Sequence, residues 1–336
     1  MVSAVADPTN PVTSLTPHTL TPIPAELKPV RLGVIGLNAG NGHPYSFSAI
    51  ANGYDDTGFA ESAWGGIHAY LRERDPADLG IAGVQVTHCW TQDRAESAAL
   101  ARAARIPHVV ERAEEMLGQI DALLLLRDDV ETHRPMAEPF LAAGLPVFID
   151  KPLALTTEDL AYFRPFLESG QLMSTAGVRY SRELDAVAAT INTLGELTLV
   201  RGAVVSNFRQ YGIHMLDGIF RVIPFAVEQV WAVPGARHES VTLVQAAGHP
   251  LVQIDALGAT AKTFQFDFWG KSGRLHAEHT DNFSAFRREL THFVEQVRTG
   301  KPRVPPAHTL RLMQTMIAAE RSRAEGRAVR LDEIVY

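Results

Sequence analysis

Apolar runs and helical stretches alternate through the first half of the chain. Short runs rich in Val, Ile and Leu stand at 30–36 (VRLGVIG), 81–90 (IAGVQVTHCW), 106–110 (IPHVV), 120–126 (IDALLLL) and 145–149 (LPVFI). Runs of this length and bulk read as strands buried on both faces of a parallel sheet. Helical patterns fall between them, at about 44–52, 95–104, 111–117 and 132–144. In the last, Pro135 suits a first turn and Pro139 is placed to kink the interior. The alternation predicts an α/β fold whose open parallel sheet offers ligand sites at the C-terminal ends of its strands. A βαβ unit needs about 30 residues, and the second strand comes later than that. Residues 53–80 therefore read as an insertion with a short helix over 61–74.

The second half is patterned differently. After a helix at 157–169 and a strand at 172–178, strand candidates follow at 197–206, 227–233, 240–246, 251–257, 263–269 and 274–278. Gly/Pro signals separate them, and Phe264-Gln265-Phe266-Asp267-Phe268 alternates at period two. This predicts a largely antiparallel, open sheet with one covered face. A helix over 281–298 carries an apolar stripe of Phe283, Phe286, Leu290, Phe293 and Val294, and a last helix over 308–323 is placed to pack back on the first domain. The leading segment 1–29 is rich in Pro, Thr and Ser, lacks a signal-peptide pattern, and reads as a flexible leader or as an arm on a partner subunit. The division expected is 1–29 leader, 30–152 first domain and 153–336 second domain.

Composition narrows the classes. The 336 residues, 46% hydrophobic and 21% charged, suit two globular domains. A net charge of −7 argues against non-specific nucleic-acid binding. No apolar run reaches the roughly 18 residues of a membrane span. The single cysteine, Cys89, excludes an internal disulfide and a cysteine metal cage, which suits a reducing cytoplasm.

Candidate chemistry starts at the first turn. The loop Gly36-Leu37-Asn38-Ala39-Gly40-Asn41-Gly42 links a strand to a helix, the context in which glycines let backbone approach a pyrophosphate. Asn38 and Asn41 occupy the second and third positions of G-x-G-x-x-G, so an ordinary βα turn is the competing reading. At the end of the second strand Thr91 stands where a ribose-binding acid is usual. Thr91 with Arg94 tolerates a 2′-phosphate, so NAD and NADP both stay open. His43 at the mouth of the glycine loop and His133 after the fourth strand lie at strand C-terminal edges, near a ligand or in support of one. Arg179 and Tyr180 can reach a substrate from the end of the strand at 172–178, and an ion pair is as good a reading for Arg179. His276 and His279 have no evident third partner, so no metal site is expected.

With VRLGVIGLNAGNGH (30–43), IDALLLLRDDVETH (120–133), AAGLPVFIDKPLA (142–154), YGIHMLD (211–217) and TGKPRV…AEGRAVRL (299–331) in this order, the chain resembles the Gfo/Idh/MocA oxidoreductases, the family of glucose–fructose oxidoreductase and inositol dehydrogenase. The resemblance implies a Rossmann domain, an α/β second domain, an active site between them and an NAD or NADP cofactor. It also implies a small-molecule substrate, sugar- or cyclitol-like, and a homo-oligomer, dimer or tetramer. Asp150-Lys151-Pro152 stands where the family has Glu-Lys-Pro, often with a cis proline. The resemblance places Asp150 and Lys151 at the cofactor, with Lys151 polarising the reacting oxygen. His214 and Asp217 match the last two positions of the family's Asp-x-x-x-His-x-x-Asp pattern, His214 exchanging the proton and Asp217 orienting. Gln210 replaces the first Asp, four residues before His214 and so on one helix face with it; it can bond a substrate but not ionise, and Tyr211 is the nearest other proton donor. A core role for His214 competes with the catalytic one. Trp231, Phe266 and Phe268 are candidates for an oligomer interface on the open sheet face, or else face the helices.

The reading is hydride transfer between NAD(P) and a carbon bearing a hydroxyl or carbonyl. Gln210 also keeps imine or ketone reduction and redox-neutral chemistry with retained NAD in view. The irregular glycine loop leaves room for a non-catalytic dinucleotide-binding regulator.

Overall fold

The computed structural model describes residues 28–336; the leader expected over 1–29 lies outside them except for its last two residues. Along the chain come β1 (Val30–Ile35), α1 (His43–Asn52), α2 (Asp56–Ala60), α3 (Gly65–Arg72), β2 (Val84–Trp90), α4 (Arg94–Ala103), β3 (His108–Val109), β4 (Ala122–Leu125), α5 (His133–Ala142), β5 (Val147–Ile149), α6 (Thr157–Ser169) and β6 (Leu172–Met173). Then follow α7 (Arg182–Thr190), β7 (Leu197–Val204), α8 (Phe208–Val222), β8 (Val227–Pro234), β9 (Glu239–Gln245), β10 (Leu251–Ala256), β11 (Phe264–Gly270), β12 (Gly273–Glu278), α9 (Asn282–Thr299), α10 (Pro306–Glu325) and β13 (Val329–Arg330).

The first sheet is six-stranded, ordered β3-β2-β1-β4-β5-β6, and its pairings are parallel. β4 and β5 are buried along their whole length, and β1 is buried except at Arg31, because helices cover both faces. This is the expected Rossmann-type α/β layer. Its sixth strand comes from 172–173, beyond the division expected at 152/153. The second sheet is seven-stranded, ordered β12-β11-β7-β10-β9-β8-β13. It is antiparallel except where β10 runs parallel to β7.

Several elements differ from the sequence pattern, each for a local reason. The strand expected over 172–178 stops at Met173, and the chain turns into a 3-10 turn at Gly177–Tyr180. There a Cβ on Gly177 would lie 2.5 Å from the Phe286 ring, so the turn packs directly on α9. The helix expected over 111–117 is a single 3-10 turn at Ala113–Met116. The insertion forms two helices, α2 capped by Asp55 and α3 beginning at Gly65-Gly66, rather than one over 61–74. Pro139 lies inside α5, which continues to Ala142. Helix α7, capped by the Ser181 hydroxyl, and the short β13 carried no clear signal.

Cross-strand register sorts the second sheet into two faces. Val200, Val241, Leu243, Val252, Ile254, Phe266 and Phe268 lie on the covered face and are buried. Trp231, Val233, Val244 and Leu251 lie on the other face and are exposed, Trp231 at 52%. Phe266 and Phe268 thus face the helices, and only Trp231 of the three aromatic candidates lies on the open face. Helix α9 packs on α1 of the first layer, whereas α10 packs on β8, α8 and α6. Among the described residues no helix is long and apolar enough to cross a membrane.

Candidate active site

The site is assembled at the C-terminal ends of β1, β4 and β5, which are adjacent in the first sheet. Close approach dictates the glycines. A Cβ on Gly36 would sit 2.4 Å from the Pro44 ring, so glycine lets α1 start against β1. Gly40 has φ +82° with open space on its Cβ side. Asparagines replace the other glycines and tie the loop to its neighbours. Asn38 Nδ2 donates to Asp128 Oδ1, and Asp128 N donates back to Asn38 Oδ1 at 3.2 Å. Asn41 Oδ1 accepts from His43 N at 2.9 Å while its Nδ2 donates to Asp150 Oδ2 at 2.8 Å. Arg127, just past β4, donates to Leu37 O at 2.9 Å and to Gln92 Oε1 at 3.0 Å, pinning the loop from below.

Lys151 follows β5, and its bond to Pro152 is cis. It is buried, with Nζ 3.4 Å from Asp128 Oδ2. Burial works against its charge, but Asp150, Asp128 and Tyr211 outweigh it and hold the ammonium above its ordinary pKa. Asp150 is also buried. Burial favours its neutral form, yet the His43 and Lys151 charges and the bonds from His43 and Asn41 keep the carboxylate well below its usual range.

His214 projects from α8 into the same space, with its ring centroid 5.5 Å from both Tyr211 and Phe264. Its Nδ1 is buried without a hydrogen-bond partner. Burial, then the Lys151 and His43 charges, push it well below 6.5, so the imidazole is neutral. The residue four positions earlier does not support it. Gln210 is exposed in the first turn of α8, where its side chain accepts from Asn207 Nδ2 at 2.8 Å and its N–H donates to Asn207 Oδ1 at 3.0 Å. Gln210 therefore completes a helix cap.

Asp217 has a different place from the orienting one expected. Its carboxylate accepts from Ala176 N at 2.9 Å, Arg179 Nη1 at 2.8 Å and His308 Nε2 at 2.9 Å. Burial raises its pKa, but Arg179 and His308 more than offset that, and it stays ionised. It joins the 3-10 turn to α8 and α10. Arg179 is thus an ion-pair residue, and Tyr180 is buried beside it.

A cavity of about 530 Å³ lies between the layers. Its first-domain wall holds Gly40, Asn41, Gly42, His43, Asp128 and Lys151, and its second-domain wall Tyr211, His214, Phe264, His279 and Phe286. Trp64, Ile67 and Tyr70 close it from the insertion, and Lys262 stands on its lining. The structure thus brings Gly40, Asn41, His43, Lys151, Tyr211 and His214 together, with Asp150 directly beneath. Asp217, Arg179, Tyr180, Gln210, Thr91 and Arg94 lie outside the lining. Sequence reasoning missed Asp128, although its position after a central strand was a usable signal. It missed the insertion residues as well, for which no motif exists. His279 lines the cavity while His276 pairs with Asp267 on the surface. His133 is buried between the carbonyls of Leu153 and Arg127, a bracing role. No group of three His, Cys, Asp or Glu able to hold a metal exists among the described residues.

A dinucleotide fits this edge where it can be tested. Backbone at Gly40 is unobstructed, and a charged lysine faces the cavity at the other end. At the second strand, Thr91 Oγ1 donates to Asp93 O at 2.6 Å, and Arg94 pairs with Glu111.

Residues 30–169 match the model of an oxidoreductase family described as having an NAD-binding Rossmann fold. No curated protein matched the sequence. Solved structures match over nearly the whole chain. A probable dehydrogenase from Thermotoga maritima has 16% identity and a TM-score of 0.70, covering 91% of this chain and 100% of that one. Myo-inositol 2-dehydrogenase from Lactobacillus plantarum has 16% identity and a TM-score of 0.71, covering 90% and 99%. Scyllo-inositol dehydrogenase from Lactobacillus casei, with bound NAD(H) and scyllo-inositol, has 14% identity and a TM-score of 0.70, covering 91% and 100%. At such identities these likenesses show the fold. Residues 30–169, the first layer, thus match the NAD-binding Rossmann domain of the Gfo/Idh/MocA oxidoreductases.

Proposed function

We propose that this protein is an NAD-dependent dehydrogenase acting on a hydroxyl or carbonyl carbon of a polyhydroxylated small molecule, sugar- or cyclitol-like. The observation that carries the reading is the buried, charged Lys151 in a cavity lined by both the glycine loop and α8. Bound NAD supplies the hydride acceptor or donor. The backbone along Gly36–Gly42 would hold it, with Asp150 and Lys151 at the end of β5 bordering its reacting end. Lys151 stabilises negative charge on the reacting oxygen; Asp128 pairs with its ammonium and the Asp150 charge keeps it protonated. His214, neutral and on the cavity lining, can hydrogen-bond a substrate oxygen. The aromatic walls from Trp64, Tyr211, Phe264 and Phe286 suit the apolar face of a ring whose edge carries hydroxyls. The substrate relation follows the inositol dehydrogenases among the similar structures.

The exposed apolar group of Trp231, Val233, Val244 and Leu251 on the open face of the second sheet supports a homo-oligomer, and the lone buried Cys89 suits a reducing cytoplasm. The test is a fluorescence titration with NADH and NADPH, then an absorbance assay at the nicotinamide band with polyols, cyclitols, sugars and ketoses. Tight NADH binding with turnover of a polyol or cyclitol is expected. Failure to bind either nucleotide overturns the reading.

A further inference from the structure

The cavity holds a second imidazole, better equipped for proton transfer than His214. His43 Nδ1 lies 2.7 Å from Asp150 Oδ2. Asp150 cannot turn away, because Asn41 Nδ2 donates to the same oxygen at 2.8 Å and Lys151 N donates to the other at 2.8 Å. Asn41 also accepts from His43 N at 2.9 Å, so one asparagine fixes both partners. The imidazole is held between Phe47 and Phe286, at ring-centroid distances of 5.3 and 5.0 Å. Asp150 Oδ2 takes up Nδ1, which leaves Nε2 as the ring nitrogen for proton exchange. His43 lines the cavity that Lys151 also lines.

We infer that His43, oriented by Asp150, is the acid–base residue of the reaction, a role that rests on the hydride-transfer reading above. In oxidation the substrate O–H gives its proton to His43 Nε2. The electron pair of the C–H bond leaves as hydride to the nicotinamide, and the C–O bond becomes a carbonyl. Reduction runs the same steps backwards, with His43 returning the proton. A buried carboxylate opposite Nδ1 fixes the tautomer and stabilises the imidazolium as it forms, the service it renders in hydrolase triads. His214 lacks any such partner. The groups around the His43 ring are Asp150 and Lys151 from the end of β5, Asn41 from the loop, the phenyl rings of α1 and α9, and the neutral His214 from α8.

The experiment compares the full-length wild type with His43→Gln, His43→Asn and His214→Asn. Turnover of the polyol, cyclitol and ketose panel with NAD is followed against pH, and NADH affinity by fluorescence. Histidine-labelled protein is examined by ¹⁵N NMR without ligand. The expected results are these. Both His43 variants lose about 10²–10⁴-fold in kcat, lose the limb of the pH profile set by the base, and keep NADH affinity within about twofold. An Nδ1–H tautomer signal present in the wild type and in His214→Asn is missing from both His43 variants. Wild-type kcat and pH profile in folded His43 variants would overturn the assignment to His43 while leaving the dehydrogenase reading intact. So would loss of the limb in His214→Asn alone. Absence of wild-type turnover with every substrate removes the hydride-transfer reading itself, and the role of His43 with it.

Discussion

Lys151 and Glu289 are both buried, and their neighbours give them opposite charge states. Lys151 is surrounded by carboxylates and stays charged, its ammonium serving the reacting oxygen. Lys151→Met keeps most of the stem but removes the charge. We expect kcat to fall by about 10²–10³-fold, the usual loss when one transition-state donor is deleted, and NADH affinity to change little. Stopped-flow hydride transfer checks it, and an unchanged rate would contradict the role. Glu289 on α9 accepts from Thr175 Oγ1 at 2.7 Å. Burial, then the Asp150 and Asp217 charges, raise its pKa well above 4.5 despite the opposing Thr175 bond and Lys151 charge. An acid raised in the folded state stabilises fully below its unfolded value. That contribution is lost as pH rises through the folded value, because the unfolded chain ionises first. Glu289→Gln keeps the acceptor for Thr175 and removes this linkage. The variant's Tm should therefore gain on the wild type between pH 5 and pH 8, as read by calorimetry. A constant difference across that range would show that Glu289 is already ionised in the fold.

At the scale of elements, the insertion has a definite task. Helix α3 brings Trp64 and Ile67 onto the glycine loop so closely that a Cβ on Gly42 would lie 2.4 Å from the indole and 2.5 Å from Ile67 Cδ1. The insertion is thereby part of the cavity wall. Trp64→Ala should raise KM by about 10–100-fold, as expected for losing roughly 1.5–3 kcal/mol of apolar contact, with a smaller change in kcat. Gly42→Ala should disturb both parameters by pushing α3 away from the loop. Steady-state kinetics on the two variants checks this, and an unaltered KM in Trp64→Ala would place the substrate elsewhere. The strands of the first sheet were legible because burial on both faces writes itself as unbroken Val, Ile and Leu. The alternation in β11 revealed the second sheet in the same way. Gln210 was misread because i, i+4 spacing ignores the cap. At the first turn of α8 its side chain bonds Asn207 rather than following the face of His214. Asp217 was misread because Arg179 and His308, distant in sequence, claim its carboxylate. His43 was legible as a cavity residue, but its pairing with Asp150 depends on β1 and β5 ending at one edge. The walls from the insertion were illegible, since no motif marks them.

The whole molecule joins its two sheets through α6, α8 and α10, which share one core with both, and the second sheet leaves one face without helices. On that face register aligns Trp231 opposite Thr242, with Val233, Val244 and Leu251 around them, all in the outward-pointing set. Large exposed apolar groups collected on one flat surface cost solubility unless something covers them. A second copy of the chain can cover a sheet face symmetrically, meeting like with like about a two-fold axis. The surface lies on the opposite side of the sheet from the helices that carry His214, so an interface there leaves the cavity open to substrate. Light scattering coupled to size exclusion should therefore find the wild type at a multiple of its 36.7 kDa chain mass. Trp231→Glu places a charge within this apolar group, near the sheet edge, and should shift the protein to the single-chain mass. Since the cavity takes no residue from this face, the NADH affinity of the variant should stay within about twofold of the wild-type value, because an interface built only for assembly carries no cofactor-binding energy. A monomeric wild type would remove the interface. An oligomer that survives Trp231→Glu would put it on another surface.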